Sequence, residues 1–292
     1  MKFTYHHCSC PAEQYAPLAV TAEQLGFDTI TMPESICYPK EATSQYPYND
    51  DGSRDFLEAE PFIDPFVLTA YMAAKTEKIR FTTSIMKLAI RQPVMVAKAL
   101  TSLAVMTDNR FGCGVGISPW QEDFEIAQIP WAKRGKRMDE IIDIIRGLQD
   151  GEYFGYEGEI FQIPEIKLCP TPSKPVPILI GGHADAALRR AARTGDGWVA
   201  AGGPIEELSR MIQRINELRK EYGRDHLPFE IHTNSELAYS ADGVAQLEAI
   251  GVTDVVAAFR NIYAKEVDDK SLEEKQAQMQ WYADTVIKPS RN

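Results

Sequence analysis

The segment at 177–192 has the residue types and spacing of a phosphate-binding turn. A short apolar run ends in Gly181 and Gly182, His183 follows, and a helix-like segment begins at Asp185. Glycine lets the backbone approach an anionic oxygen closely, and the first N–H groups of a helix point towards a bound anion. An ordinary tight turn between a strand and a helix has the same pattern, so both interpretations stay open on spacing alone.

Three other side chains are candidates for proton transfer: Glu34, His7 and His232. Glu34 follows an apolar run and could act as a general base, or it could simply cap a loop. The pKa of a histidine lies near neutrality, so His7 suits acid–base work, but a hydrogen-bonded core histidine fits its position as well.

These residues need elements that bring them together, and the chain alternates short apolar runs with helical periodicity throughout. Strands are predicted at 3–7, 29–32, 79–86, 111–117, 176–180, 197–200, 229–237 and 254–258, and helices at 13–25, 65–74, 93–106, 131–148, 185–193, 205–222, 243–250 and 272–286. Eight of each is the count of a (β/α)8 TIM barrel, with a doubly wound open sheet as the alternative.

Two segments are too long for ordinary barrel connections. Residues 38–61 form a polar, proline-bearing loop inserted after strand 2, and residues 151–172 predict a small hairpin inserted before strand 5. With no linker or repeat in view, we interpret residues 1–292 as a single domain.

In a barrel, function lies at the C-terminal ends of the strands. These ends supply the histidines and Glu34, together with glycine-rich turns and few charges. Such an apolar mouth suits a planar cofactor with a phosphate tail better than a hydrolytic metal centre. The aromatic residues Tyr46, Phe62 and Trp120 could line a substrate pocket or cover the surface.

The composition narrows the class of partner. The net charge of −11 argues against nucleic acid and against an anionic membrane, and no apolar run approaches the length of a membrane span. A cytoplasmic protein with a small-molecule ligand is expected. Five scattered cysteines indicate neither a disulfide framework nor a zinc site, although Cys8 and Cys10 beside two histidines are a weak metal alternative.

Taken together, six blocks of the chain resemble the bacterial luciferase-like family of flavin- and deazaflavin-dependent oxidoreductases. The blocks are 26–34 (GFDTITMPE), 44–52 (SQYPYNDDG), 79–86 (IRFTTSIM), 91–94 (RQPV), 109–116 (NRFGCGVG) and 177–198. Any one of them is a weak signal, but their order along the chain is a strong one.

The resemblance implies a barrel with an isoalloxazine-like ring in its mouth, the phosphate on Gly181–Gly182, and a non-prolyl cis peptide near Ser84–Ile85. The cofactor-binding set that it implies comprises Ser84, Ile85, Gly116, Gly181, Gly182, His183 and Gly202. The inserted loop and the third strand are most similar to the branch that uses the deazaflavin F420, so F420 is the expected cofactor and FMN the alternative.

One departure from that branch concerns proton transfer. Many F420-dependent members carry Asp-His at the end of the second strand, where this chain has Glu34-Ser35. Any acid–base help would then come from Glu34, His7 or His232.

The resemblance implies hydride transfer between F420 and a small or medium apolar substrate. The alternatives are an FMN-dependent monooxygenase supplied by a partner reductase, and a barrel that binds flavin without catalysis. A homodimer is also expected, because members of the family often pair through barrel helices.

Overall fold

The chain folds as a closed barrel of parallel strands, which confirms the predicted (β/α)8 architecture. The computed structural model describes residues 1–7, 10–49, 51–58, 60–266 and 268–291. The barrel contains β1 (Lys2–His6), β2 (Thr29–Met32), β3 (Arg80–Thr83), β4 (Met86–Lys87), β5 (Phe111–Gly116), β8 (Ile178–Gly181), β9 (Gly197–Ala200), β10 (Glu230–Asn234) and β11 (Asp254–Ala257). Each strand pairs in parallel with its neighbours, and pairing between β3 and β5 closes the ring.

Helices surround the barrel in the expected order. They are α1 (Tyr15–Gln24), α2 (Pro65–Ala73), α3 (Pro93–Met106), α4 (Gln121–Ile126), α5 (Arg134–Leu148), α6 (Asp185–Thr194), α7 (Ile205–Glu221), α8 (Ala241–Ala249), α9 (Leu272–Tyr282) and α10 (Lys288–Arg291). Among the described residues, none of these helices is long and apolar enough to cross a membrane.

Local sequence sets several helix starts. The Asp64 carboxylate accepts the N–H groups of Phe66 and Val67, and Pro65 takes the first helical position of α2. Ser271 and Glu274 form a reciprocal capping box at the start of α9.

Most predicted element bounds hold to within a few residues, with three informative differences. The single strand predicted at 79–86 is divided into β3 and β4, and the Ser84–Ile85 peptide between them is cis, as the family resemblance implies. The strand predicted at 229–237 ends at Asn234, because Ser235 caps a 3-10 turn over Glu236–Tyr239. Helix α4 was not predicted; its short sequence, QEDFEI, is mostly acidic and polar.

Both predicted insertions are present. The hairpin consists of β6 (Phe154–Glu157) and β7 (Gln162–Ile166), which pair antiparallel. Over its described residues, the loop after β2 contains one 3-10 turn at Asp55–Leu57 and no other regular structure. Cys8, one of the two cysteines of the weak metal alternative, lies outside the described residues, whereas Cys10 is buried.

Side chains alternate along each strand between the outer face of the barrel, which packs against the helices, and the inner face. Residues such as Phe3, Ile30 and Phe111 point outward and form the apolar core against the helices. Many residues of the inner face are small or polar, and they include Thr4, Thr29, Thr31, Thr82, Gly112 and Gly114. Small inner residues leave room inside the barrel for larger side chains at selected levels.

The N-terminal floor of the barrel is closed by charge rather than by apolar packing. Glu230 accepts from Arg80 Nη1 at 2.8 Å and from Lys2 Nζ at 3.3 Å, and its second oxygen lies 2.9 Å from His232 Nε2. Burial alone would raise the pKa of Glu230, but hydrogen bonds and charge from His232 and Arg80 outweigh it and hold that pKa well below its ordinary value.

We expect Glu230→Gln to destabilise the fold by about 1–3 kcal/mol, because it leaves Arg80 and His232 without their carboxylate. The loss should be complete above about pH 4.5 and should shrink progressively as the pH falls below it, because the contribution of a carboxylate with a depressed pKa disappears only as the pH reaches the folded pKa. Urea unfolding of both proteins between pH 7 and pH 3 measures it. Glu159→Gln, in an exposed pair with Lys133, is the matched control and should change stability by less than about 0.5 kcal/mol. Equal effects of the two substitutions would contradict a role for the floor.

Candidate functional site

The C-terminal mouth of the barrel is built around Ile85, whose side chain points inward. A Cβ added at Gly116 would overlap Ile85 Cδ1, and a Cβ at Gly181 would come within 2.7 Å of the same atom. Ile85 therefore occupies the space that these two glycines leave on β5 and β8.

This contact gives a reason, different from the predicted one, why positions 116 and 181 require glycine. The family resemblance implies that both glycines contact the cofactor, whereas in the structure their missing side chains make room for Ile85. Their proposed contact with a cofactor is a separate prediction that the geometry does not test.

Gly116→Ala should therefore destabilise the protein by about 1–3 kcal/mol through overpacking against Ile85. Gly112→Ala is the matched control on the same face of β5, because its Cβ would meet only ordinary contacts at 3.5 Å or more. A double-mutant cycle with Ile85→Ala should recover much of the loss at position 116, as measured by thermal or urea unfolding. Additive effects would show that Ile85 does not set the requirement for glycine.

The turn after β8 has the backbone geometry that the sequence predicts for a phosphate-binding turn, and we call this turn with the start of α6 the cradle. Gly182 has a φ of +118°, and a Cβ there would lie 3.2 Å from Ala187 Cβ. Helix α6 starts immediately afterwards with no side-chain cap on its first N–H groups, and α7 likewise starts without one after Gly202 and Gly203. Two uncapped helix N-termini beside a glycine turn can receive an anion.

His183 helps to hold the cradle in shape. Its Nε2 accepts the N–H of Ala201 at 2.9 Å, which requires that nitrogen to be unprotonated, and burial lowers the pKa of the ring. Trp198 Nε1 donates to the carbonyl of Gly182 at 2.9 Å from the next strand. His183 also lines a groove of about 340 Å³ between α6 and α7, with Arg210 and Arg214 on its wall.

Glu34 lies at the mouth, as predicted, but both of its oxygens are engaged. One accepts the N–H of Lys87 at 2.6 Å and the other pairs with Arg91. Its side chain is only 2% exposed. This arrangement ties the end of β2 to the segment after β4; a catalytic role for Glu34 stays a prediction.

The predicted placement of His7 at the mouth is wrong. His7 continues the outward parity of Phe3 and Tyr5, and its ring packs against Tyr15 of α1 at 4.5 Å between centroids. Its Nε2 donates to the Tyr15 carbonyl, and burial lowers its pKa to about 3. By strand alternation His6 is the inward-facing histidine, with a pKa lowered to about 4 by burial and then by Arg260.

The predicted placement of His232 is also wrong. Its Nε2 faces Glu230 at 2.9 Å and Asp254 at 3.6 Å, and both carboxylates belong to the first residues of their strands. Oxygen and nitrogen atoms of these three residues lie within 4.8 Å of one another, but Arg80 and Lys2 already supply positive charge there. His232 thus belongs to the floor of the barrel, because its ring points down the interior instead of towards the mouth.

A buried ionic cluster, which we define as Lys87, Asp123, Arg54 and Glu122, joins the mouth to the inserted loop. Asp123 binds Lys87 Nζ at 2.7 Å and Arg54 Nη2 at 3.3 Å, and it accepts from Ser118 at 3.1 Å. Glu122 accepts the N–H groups of the inserted loop at Thr43 and Ser44, at 2.7 and 3.0 Å.

An aromatic cap covers the ionic cluster. Tyr46 from the inserted loop stacks on Trp120 with centroids 5.0 Å apart, and Arg54 lies 4.4 Å above the Trp120 ring. Tyr263, from the loop after β11, contacts Tyr46 at 5.8 Å. The structure thus brings the predicted residues Tyr46 and Trp120 together, whereas half-buried Phe62 makes no ring contact with the cap among those described.

The inserted loop should be released in acid. Burial alone would raise the pKa of Glu122, but hydrogen bonds from Ser44 and Thr43 lower it to about 2. The ionised carboxylate thus anchors the loop fully above about pH 4.5, and the anchor weakens progressively as the pH falls towards 2.

We expect Trp120 emission to change over that range in the wild type, and Glu122→Gln to show the loosened state already at pH 7. The measurement is tryptophan fluorescence against pH, with Trp120→Phe as the blank for the other tryptophans. Unchanged Trp120 emission in Glu122→Gln at pH 7 would contradict the anchoring role.

Sequence reasoning missed most of the ionic cluster and Tyr263. Lys87 was visible as a charged residue at the end of an apolar strand, which is a usable signal. Arg54, Asp123 and Tyr263 carry no such signal, because the sequence pattern around each of them is that of an ordinary polar loop.

Comparison with known proteins agrees with this architecture. A family model described as luciferase-like monooxygenase matches residues 6–286. An uncharacterized protein of Mycobacterium tuberculosis is 49% identical over 287 residues, covering 98% of this chain and 99% of that protein. An F420-dependent glucose-6-phosphate dehydrogenase of Tsukamurella paurometabola is 26% identical, covering 81% of this chain and 69% of that protein. The crystal structure of monooxygenase RslO1 from Streptomyces bottropensis superimposes with a TM-score of 0.76 at 17% identity, over 99% of both chains.

Proposed function

The chain belongs to the luciferase-like monooxygenase family, and on that premise we propose that it is an F420-dependent oxidoreductase acting on a small or medium apolar substrate. The observation that carries the proposal is the cradle after β8. It combines a glycine at positive φ with two helix N-termini that no side chain caps.

The residues present fit a cofactor with a phosphate. A side chain at Gly182 would crowd Ala187 and occupy the place where an anion meets the backbone. The N–H groups at the start of α6 would hold the phosphate, while His183 and Trp198 keep the turn in position. When bound, the deazaflavin would supply hydride-transfer chemistry, and the protein would supply binding and orientation.

On this proposal, the residues at the mouth would orient the planar ring of the cofactor and exclude water from it. Ile85 fills the barrel below the mouth and provides an apolar surface for one face of a planar ring. On this proposal, the cap formed by Tyr46, Trp120 and Tyr263 would keep water away from the bound ring.

Proton transfer has one remaining candidate from the sequence at the mouth, Glu34. There it accepts the backbone N–H of Lys87 and pairs with Arg91. The positions of His7 and His232 remove both from the proposal.

F420 is favoured over FMN because a relative with 26% identity over most of the chain is named as F420-dependent. The FMN-dependent monooxygenase, supplied with reduced flavin by a partner reductase, is the second candidate, since the family is described by that activity.

We also propose a homodimer, supported by the exposed apolar residues Val67, Tyr71 and Met95 on α2 and α3.

The cradle can be tested by removing one N–H group. Ala184 has an extended conformation with ψ of 144°, so Asp185→Pro places proline at the first position of α6, where it is tolerated. Asp185→Ala is the matched control, because it removes the same carboxylate and its pairs with Arg189 and Arg214 but keeps the N–H.

We expect Asp185→Pro to bind F420 about tenfold more weakly than Asp185→Ala, which corresponds to about 1.4 kcal/mol. Fluorescence titration of each variant and of the wild type with F420 and, separately, FMN measures this. Equal affinities of the two variants would refute the cradle. Tight binding of FMN with weak binding of F420 in the wild type would favour the monooxygenase.

A further inference from the structure

Lys87 points into the mouth of the barrel, directly above Ile85. Ile85 directly precedes β4, and Lys87 ends it two positions later, so the two side chains point to the same side. Lys87 also pairs in register with Gly116, whose missing side chain faces the interior. Ile85 is placed inside the barrel independently by its contacts with Gly116 and Gly181. The Lys87 ammonium therefore lies beside the space that the proposed function assigns to the reacting molecules.

This ammonium is buried, and it forms one ion pair but no hydrogen bond with the described residues. The residue is 6% exposed, and its Nζ lies 2.7 Å from Asp123 Oδ2. That ion pair is close, but Nζ finds no acceptor in hydrogen-bonding geometry among the described residues. Asp123 is at the same time shared with Ser118 and Arg54.

An ammonium has three donors, and burying a donor without an acceptor destabilises the folded state. The Lys87 ammonium therefore keeps donors that can bind an oxygen of a bound molecule. Lys275 provides the contrast within this chain. It is as deeply buried, and its Nζ donates to Gln14 Oε1 at 2.7 Å and pairs with Asp268 at 3.3 Å.

We propose that Lys87 is an anion-binding residue of the active site, held by Asp123 so that its ammonium donates to a negatively charged oxygen in the mouth. The inference rests on the proposed function for the identity of that oxygen. It belongs either to the pyrimidine ring of the cofactor, where negative charge rises on reduction, or to a carboxylate or enolate of the substrate.

Two binding measurements distinguish these sources. The first compares the affinities of F420 and FMN in their oxidised and dithionite-reduced forms, under anaerobic conditions, for the wild type and Lys87→Met. The second titrates the cofactor-free protein with acetate, using acetamide as the neutral isostere and tryptophan quenching as the signal. Lys87→Arg keeps the charge, and Lys275→Met is the matched control for loss of a buried lysine.

If the oxygen belongs to the cofactor, Lys87→Met should weaken binding of the reduced form at least tenfold more than that of the oxidised form. For a two-electron couple this equals a fall in midpoint potential of about 30 mV. If the oxygen belongs to a substrate, that ratio stays constant and acetate binding falls at least tenfold while acetamide binding is unchanged. In both cases Lys87→Arg should retain most of the wild-type behaviour, and Lys275→Met all of it.

An unchanged ratio together with unchanged acetate binding in Lys87→Met overturns the proposal. Removing Lys87 leaves Asp123 buried without its ammonium, so the double variant Lys87→Met with Asp123→Asn provides a neutral version if the single variant does not fold. Failure of the wild type to bind either cofactor would refute the proposed function alone, and the acetate titration would then decide the role of Lys87.

Discussion

The arrangement of the mouth of this barrel depends on two groups of Lys87, its backbone N–H and its side-chain ammonium. Its backbone N–H binds the carboxylate of Glu34 at the end of β2, and its ammonium binds Asp123, which follows β5. Because Asp123 also binds Arg54 of the inserted loop, three strand ends and the loop meet through one residue. A low-dielectric surrounding strengthens each of these interactions, so the buried cluster orders segments that have little regular structure of their own.

The small inner face explains why that order can exist. Threonine and glycine on the inward positions leave volume inside the barrel, and Ile85 fills part of it against Gly116 and Gly181. Above Ile85 the mouth is lined by Lys87 and covered by aromatic rings; near the floor, Glu230, His232 and Arg80 close the interior by charge. The two ends thus have different chemistry, and the proposed phosphate cradle lies at the end where strands lead into helices.

Two histidines show that a correctly predicted strand does not fix where its side chains lie. His7 and His232 belong to predicted strands that the structure confirms, with bounds that are correct to within a few residues. Yet a shift of one residue changes the face of a strand, and a shift of two residues changes the level inside a barrel. His7 consequently packs outside the barrel against Tyr15, and His232 points to the floor.

The sequence by itself determined the class of fold, the order of the barrel strands, both insertions and the glycine turn at Gly181–Gly182. These features follow from hydrophobic periodicity and from the backbone freedom of glycine, which are local properties. Only the tertiary structure decided which residues share the mouth, because Arg54, Lys87, Asp123 and Tyr263 are far apart in the chain and meet through barrel closure. It also decided that Gly116 makes room for Ile85, since a contact between neighbouring strands depends on register and not on the sequence of either strand alone.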